Sequence, residues 1–438
     1  MKLVKSIVAA TLAVSGILAG PAGSLSAEDI AVVGGKTHTM GSDGIVENAT
    51  VLIKDGKIVS VTAGGAVPEG YRVIDAKGKI VTPGLMNPAT TLGLNYVPSW
   101  ADNNDASFSK GKITTGLDVT WALNPDNVRI PIARVEGLTR AVTGFTSAYP
   151  FSGQGAVIHL NGDDLVSRSK AYIRLNVTGR TAGSTGGSRA ALWQTVVDTL
   201  SKAQKSLPKE EMKADKKRKK KKKKKGAKAA APKKADANTK ALHGVLKGET
   251  TLVVQAHEKH DILRALKIKK MFDLKKMVIY GASEAWRVAD QLVKADVSVV
   301  IRVHDNLPSS FERLGATLKN GARLSKAGVK VMFTGNGGDN FRLMPQHAGN
   351  AVANGMSWEE AMKGMTVYPA EVYGISDRYG TLSAGMDADV VVWNGDPLEV
   401  MTSPDAILIR GEQVSLTSRQ TKLRDRYKEL VANPAYRK

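Results

Sequence analysis

Residues 51–85 read VLIKDGKIVSVTAGGAVPEGYRVIDAKGKIVTPGL, and this stretch decides the architecture of the first part of the chain. β-Forming residues flank Asp55-Gly56, a pair that is typical of a two-residue hairpin turn. The same strand-and-turn pattern extends over Ile30–Asp75, with no segment of helical periodicity. The sequence therefore predicts a small β-domain near the N-terminus.

Strand-like and helix-like segments alternate in the centre of the chain. The strand-like runs are Leu138–Phe145, Ala156–Leu160, Ala171–Val177, Thr251–Ala256, Lys276–Gly281, Val297–Val303 and Val329–Thr334. Helical segments such as SEAWRVADQLVKA and SWEEAMKGMTVYPAEVYG separate most of them. This alternation predicts a parallel sheet with helical crossovers. Strand patterns return near the C-terminus, so we expect the two chain ends to pair into one small domain.

The N-terminal residues have the pattern of an export signal. Two lysines precede the apolar stretch Ile7–Gly20, and small residues then lead to a cleavage point between Ser24 and Glu28. The apolar stretch is shorter than the roughly 20 residues that span a bilayer, which favours a cleaved signal peptide over residues 1–27. We therefore expect an exported protein, periplasmic or secreted. The absence of cysteine excludes disulfides and thiolate metal sites.

Most of the formal net charge of +22 lies in one segment. Lys202–Lys240 contains 18 basic and 4 acidic residues, and Lys216–Lys225 is an unbroken basic run. Because such a run repels itself and buries no apolar surface, residues 202–247 are predicted to be a disordered insertion. The run contains no aromatic side chain that would stack on bases, so we do not expect nucleic acid as its partner. Two interpretations stay open: a solvated loop, or a segment that contacts an anionic membrane surface.

Three segments, in order, resemble the amidohydrolase superfamily in its exported imidazolonepropionase-like branch. They are Val51–Leu85, Asn124–Leu160 and Met365–Leu398, the last of which reads MTVYPAEVYGISDRYGTLSAGMDADVVVWNGDPL. The resemblance implies the α/β class: a (β/α)8 TIM-type barrel with a small composite β-sandwich domain formed by both chain ends. The implied boundaries are 28–84 and 378–414 for the β-domain, 85–377 for the barrel and 415–438 for a basic C-terminal helix.

The resemblance also implies a metal site, and this sequence departs from it. Members of the superfamily bind metal through a His-x-His pair on the first barrel strand and histidines on strands five and six, with an aspartate of strand eight as general base. The His-x-His positions that follow Pro83-Gly84 hold Ala89 and Thr91. The positions on strands five, six and eight hold Gln255, Tyr280 and Asn336. Because neutral side chains of this kind do not form a tight zinc site, we expect no metal cofactor.

The first hypothesis for function follows from these substitutions. It is a protein of the bacterial cell envelope with a degenerate metal site, which binds a small molecule or a partner in the barrel mouth. The expected pocket is lined by Asn87, Thr91, Gln255, Tyr280 and Asn336.

Two alternatives stay open. The second hypothesis is an active hydrolase of non-peptide carbon–nitrogen bonds, of the cyclic amide type. Its candidate catalytic residues are His257, His304 and Asp339, arranged around one divalent metal ion such as zinc. The third hypothesis is a protein that binds anionic surfaces through Lys216–Lys225.

Overall fold

The computed structural model describes residues 28–96, 104–208, 235–335 and 340–430. The expected signal peptide over 1–27, the run Lys216–Lys225, Asn336 and Asp339 lie outside the described residues. Among the helices of the described ranges, none is long and apolar enough to cross a membrane.

Strands make up most of the first part of the chain, and strands and helices alternate in its centre. The strands are β1 Ile30–His38, β2 Ile45–Lys54, β3 Lys57–Ala63, β4 Arg72–Asp75, β5 Ile80–Pro83, β6 Leu85–Thr90, β7 Ser107–Phe108, β8 Leu138–Thr143, β9 Thr146–Ser147, β10 Phe151–His159, β11 Val166–Asn176, β12 Thr251–Ala256, β13 Met277–Gly281, β14 Ser298–Ile301, β15 Val331–Phe333, β16 Val390–Trp393, β17 Pro404–Ile409 and β18 Glu412–Gln413. The helices are α1 Arg129–Arg134, α2 Gly179–Ser184, α3 Arg189–Ser206, α4 Ala237–Lys247, α5 Lys259–Met271, α6 Ala289–Lys294, α7 Asn320–Lys326, α8 Met344–Ala353, α9 Trp358–Lys363, α10 Val367–Tyr373 and α11 Arg419–Leu430.

Strand β1 is the centre of the β-domain. Its first half pairs with β4 and its second half with β5, both in parallel, and β2 lies antiparallel on its other side. The C-terminal strand β16 pairs with β5, so both chain ends form one sheet, as predicted. The predicted turn joins β2 to β3, and Asp55 and Gly56 both have positive φ, as a type I′ turn requires.

Eight strands form the barrel sheet, in the order β6-β8-β10-β11-β12-β13-β14-β15. The predicted barrel is confirmed, but β10 runs antiparallel to both of its neighbours, β8 and β11. The connections explain this reversal. Only 144–150 separate β8 from β10 and only 160–165 separate β10 from β11, whereas a parallel crossover needs about a dozen residues.

The predicted disordered insertion over 202–247 is wrong at both of its ends. Residues 202–206 are the last part of α3, and residues 237–247 form the amphipathic helix α4, in which Leu242 and Val245 are buried. The side chain of Asp236 caps α4 by accepting from the backbone of Thr239, and Lys202 lies 2.8 Å from Asp236. Because lysine dominates the composition of the segment, the sequence pattern did not reveal the end of α3 or the helix α4, both of which bury apolar residues.

A buried arginine fixes the β-domain against the barrel. The side chain of Arg140, on β8, is 1% exposed, and its Nε donates to Asp389 Oδ2 at 2.9 Å while Nη2 donates to Asp387 Oδ2 at 2.6 Å. Both carboxylates precede β16, so this ion cluster joins the C-terminal part of the β-domain to the barrel. The carboxyl ends of the parallel strands lie at the other end of the barrel, where sites form in this fold.

Candidate ligand site in the barrel mouth

Three polar residues lie side by side where β11, β12 and β13 end. Asn176 pairs with Gln255, and Gln255 pairs with Tyr280, in the parallel register of the sheet. Alternation along β11 places Arg174 on the same face as Asn176, two residues away. This row is therefore positioned by the barrel strands themselves and not by a loop.

A cavity of about 170 Å³ opens beside the row. It is lined by Thr146, Ser147, Tyr149, Ser152, Arg174, Asn176 and Gln255. The guanidinium carbon of Arg174 lies 4.5 Å from the centroid of the Tyr280 ring. Gln255 thus lines this cavity, and Tyr280 contacts Arg174, which also lines it.

Asn87 closes the barrel and does not line an open pocket. The side chain is fully buried, and its Nδ2 donates to the carbonyl of Phe341 at 3.1 Å. Its Oδ1 accepts from the backbone of Ala89 at 3.1 Å and from Thr334 Oγ1 at 3.0 Å. Thr334 follows β15, so this contact bridges β6 and β15 where no backbone ladder joins them in the described chain. With its donors and acceptors engaged, Asn87 is a structural residue, which corrects its expected role in a ligand pocket.

Thr91 belongs to a separate polar group just after β6. Its Oγ1 lies 3.3 Å from Asn95 Oδ1 and accepts from Arg129 at 3.4 Å. Arg129 also bonds Asn95 and lies over the Phe341 ring, 4.9 Å from its centroid. At the two positions where the amidohydrolase resemblance implies a His-x-His pair, this chain thus has a half-buried Ala89 and Thr91, whose side chain belongs to this polar group.

His257 has both ring nitrogens engaged. Nδ1 lies 2.9 Å from Ser283 Oγ, and Nε2 lies 3.1 Å from a guanidinium nitrogen of Arg313. Because a guanidinium only donates, Nε2 is the unprotonated acceptor and Nδ1 carries the proton donated to Ser283. Burial, reinforced by Arg313, Arg302 and Arg174, lowers the pKa of His257 to about 3.

His304 lies against a histidine that the sequence pattern did not single out. Its ring centroid is 4.2 Å from that of His347, and its backbone N–H donates to His347 Nδ1 at 3.4 Å. His347 is almost fully buried on α8, and burial, with smaller effects of His304 and Arg302, lowers its pKa to about 3. Within the described residues, His257 and His304 are not in contact with each other. Asp339, the third residue of the expected catalytic group, lies outside those ranges.

Positive charge dominates the surroundings of His257. Arg302 and Arg313 share one carboxylate, that of Asp305, with Arg313 at 3.1 Å from its Oδ2. Arg174 adds a third guanidinium that acts on the same imidazole. Three guanidinium groups, those of Arg313, Arg302 and Arg174, therefore act on His257, and two of them share the Asp305 carboxylate.

The loop that carries Arg302 and Arg313 forms hydrogen bonds with the neighbouring helices and loops. Glu312 accepts from Arg189, near the start of α3, and from the backbone N–H of Gly179 at the start of α2. Glu284 accepts from the backbone of Gly315 at 2.9 Å. These contacts hold the loop that follows β14 over the His257 side of the mouth.

The described residues do not fit the metal that the fold implies. Across the four described ranges, no group of three histidine, aspartate or glutamate side chains is placed to hold an ion. The lone pair of His257 Nε2 that a metal would need is occupied by Arg313, and nearby guanidinium charge opposes a cation.

Three residues of the mouth, Arg174, Arg313 and His347, were not predicted from the sequence. For Arg174 a signal was present, because a charged residue alternates with Tyr172 and Asn176 on the interior face of β11. For Arg313 and His347 no local pattern existed, since their partners lie 56 and 43 residues away in the chain.

A TIM-type barrel clasped by a β-domain from both chain ends, with polar residues at the carboxyl ends of its strands, defines an amidohydrolase-type protein. The chain belongs to the Amidohydrolase family, whose model matches residues 180–419, and within that superfamily to the imidazolonepropionase-like branch.

Individual relatives agree with this assignment. The chain is 26% identical to an imidazolonepropionase from Brucella anthropi over 383 residues, which covers 80% of this chain and 88% of that one. It is 22% identical to the amidohydrolase tasK from Hapsidospora irregularis over 84% of this chain, but it spans only 39% of that protein. Among solved structures, an amidohydrolase from Thermotoga maritima superposes with a TM-score of 0.76 at 22% identity, covering 88% of this chain and 99% of that one.

Proposed function

We propose that this protein is a cell-envelope member of the amidohydrolase superfamily that binds a small molecule in its barrel mouth without a metal ion. The observation that supports the proposal most directly is the contact between Arg313 and His257, which occupies the Nε2 lone pair. The small polar cavity beside Gln255 remains a place where a ligand could form hydrogen bonds.

Metal content tests this proposal. We expect substoichiometric zinc, manganese and iron in the purified protein, measured by elemental mass spectrometry after dialysis against a weak chelator. We also expect that added zinc leaves the melting temperature unchanged, because a ligand raises it only by binding the folded state. One equivalent of metal that is lost in His257→Gln but kept in His260→Gln, a variant at an exposed position on α5, would overturn the proposal.

That outcome would favour the hydrolase alternative, which the similarity to imidazolonepropionases supports. An active hydrolase of non-peptide carbon–nitrogen bonds would need Asp339 or His304 to complete a metal site with a reoriented His257. Alanine variants of each residue would then lose turnover of cyclic amides while the melting temperature stays the same.

A second candidate function concerns the lysine run. Pro208 and Ala235, which flank the undescribed residues 209–234, line one cavity of about 830 Å³ together with Arg168, Lys170 and Lys240. Arg168 and Lys170 lie near the start of β11, at the end of the barrel opposite the mouth. We propose that this basic end, with the run Lys216–Lys225, faces an anionic lipid surface.

Vesicle co-sedimentation tests that candidate. We expect the full chain to bind vesicles of phosphatidylglycerol and phosphatidylcholine, but not vesicles of phosphatidylcholine alone, and to lose binding when 213–234 are deleted. Undiminished binding by the deletion variant would rule out the lysine run as the anchor. The proposed export is checked separately by N-terminal sequencing of the mature protein, with cleavage expected between Ser24 and Glu28.

A further inference from the structure

Arg174 is a charged side chain without a counter-ion in the described structure. Its Nε atom is buried and has no hydrogen-bond partner, and no carboxylate of the described ranges forms an ion pair with it. Leaving such a donor unpaired in the interior costs free energy, and the cost is larger for a charged group. The strand position that holds Arg174 therefore carries an energetic cost that an anionic partner would offset.

Several other arginines of the barrel are paired with acids. The pairs are Arg140 with Asp387 and Asp389, Arg189 with Asp261, and Arg302 and Arg313 with Asp305. Arg174 differs because its contact is a ring face: the guanidinium lies over Tyr280 at 4.5 Å. Stacking fixes the plane of the guanidinium and leaves its edge, where the N–H groups point, without an acceptor.

The groups around Arg174 are neutral. Asn176, Gln255 and Ser152 line the same cavity with hydroxyl and amide groups. The nearby phenol of Tyr172 is buried, which raises its pKa to about 12, so it supplies no negative charge. Burial also raises the pKa of Tyr373, which packs edge-on against Tyr172.

The free edge of the Arg174 guanidinium and the size of the cavity indicate which class of ligand fits. A planar guanidinium with a free edge pairs with a carboxylate through two parallel hydrogen bonds, and the amides of Asn176 and Gln255 can donate to the same oxygens. The guanidinium of Arg174, which has no counter-ion in the described residues, matches one carboxylate. A cavity of about 170 Å³ admits a small molecule or the acidic end of a larger one.

We infer that the barrel mouth binds a small monocarboxylate, with Arg174 as the anchoring cation and the amides of Asn176 and Gln255 as neighbouring donors. This inference rests on the proposed ligand-binding function and names its ligand class. Arg174 is a binding residue in this scheme, and no covalent step is implied.

The test compares isosteric acids and amides as probes. Isothermal titration calorimetry would measure benzoate against benzamide and propionate against propionamide, with the full mature chain. We expect the acids to bind and the amides to bind at least tenfold more weakly, because charge-assisted pairing is lost. Equal binding of acid and amide, or binding of neither acid, would overturn the inference.

Two variants and a control assign the effect to one residue. Arg174→Gln should weaken benzoate binding about tenfold or more and leave benzamide unchanged, whereas Arg174→Lys, which keeps the charge, should retain part of the affinity. Arg323→Gln removes an arginine of α7 that lies over Trp286 and should bind benzoate as the parent does. Benzoate binding that survives Arg174→Gln, or inorganic phosphate that binds Arg174 as tightly as benzoate, would overturn the carboxylate assignment.

Failure of this inference differs from failure of the proposed function. If the mouth holds a metal after all, carboxylate binding would disappear on treatment with a strong chelator and would persist in Arg174→Gln. If the metal-free proposal holds but the ligand is not anionic, the metal content stays substoichiometric and the acids show no advantage over the amides.

Discussion

Arg313 donates to Nε2 of His257 across 3.1 Å, and this contact changes the chemistry available at the fifth barrel strand. The imidazole is held between Arg313 and Ser283, with its one lone pair directed at a cation. With its pKa lowered to about 3, this imidazole is neutral near neutral pH. The mouth therefore resembles an anion-binding pocket in its electrostatics more than a metal centre.

Removing Arg313 should raise the pKa of His257. In Arg313→Gln we expect the pKa of His257 to rise from about 3 toward its ordinary value, because one of the charges that lower it is gone. NMR titration of the imidazole C–H signals measures this shift. Arg323→Gln, which removes an arginine stacked on Trp286, is the matched control and should leave His257 unchanged. A pKa that stays near 3 in Arg313→Gln would show that burial, with Arg302 and Arg174, sets it without Arg313.

The two low-pKa histidines make stability depend on pH in a defined direction. In the unfolded chain His257 and His347 bind protons below about pH 6.5, whereas burial lowers both folded pKa values to about 3. The unfolded state thus binds more protons in this window, so the free energy of unfolding falls as the pH falls from 6.5 toward 3. Each histidine contributes at most about 1.4 kcal/mol per pH unit.

Chemical denaturation at several pH values checks that slope. We expect the double variant His257→Gln/His347→Gln to show a smaller loss of stability between pH 6.5 and 4 than the parent. His260→Gln, at an exposed position, should keep the parental slope. An unchanged slope in the double variant would place the acid sensitivity elsewhere.

The barrel and the β-domain could be predicted because short stretches of sequence specify their strands, helices and turns. The Asp55-Gly56 pair specifies its turn through backbone conformations that few residue pairs adopt. The reversed direction of β10 was also present in the sequence, as connections too short for a crossover, but alternation of strands and helices suggested a regular barrel.

The candidate site was only partly predictable, because its contacts join distant parts of the chain. Gln255 and Tyr280 lie where their strand positions suggested, side by side at the ends of β12 and β13. Asn87 looked like a pocket residue from its strand alone, and only its bond to Thr334, 247 residues away, shows that it closes the barrel. The average composition of residues 202–247 likewise cannot show that Leu242 and Val245 are buried.

The bridge between β6 and β15 should contribute measurably to stability. Thr334 Oγ1 lies 3.0 Å from both Asn87 Oδ1 and the carbonyl of Ala89, and the side chain is buried. Thr334→Val removes the donor while keeping the shape, so we expect a loss of about 1–3 kcal/mol in the free energy of unfolding. Thr334→Ser keeps the hydroxyl and should lose less. A valine variant as stable as the parent would show that the barrel does not need this contact.

The boundary of the lysine-rich insertion can be tested by two deletions that differ only in length. Replacing 209–234 by a short Gly-Ser linker keeps α3 and α4, whose facing ends are already brought together by Lys202 and Asp236 at 2.8 Å. We expect an unchanged melting temperature. Replacing 202–247 also removes α4, with its buried Leu242 and Val245, and loss of a buried aliphatic side chain costs about 2–5 kcal/mol. We therefore expect this longer deletion to melt at a distinctly lower temperature or to fail to fold. Equal melting of both variants would show that α4 adds nothing to the barrel, and a large loss in the shorter deletion would show that the lysine run itself supports the fold.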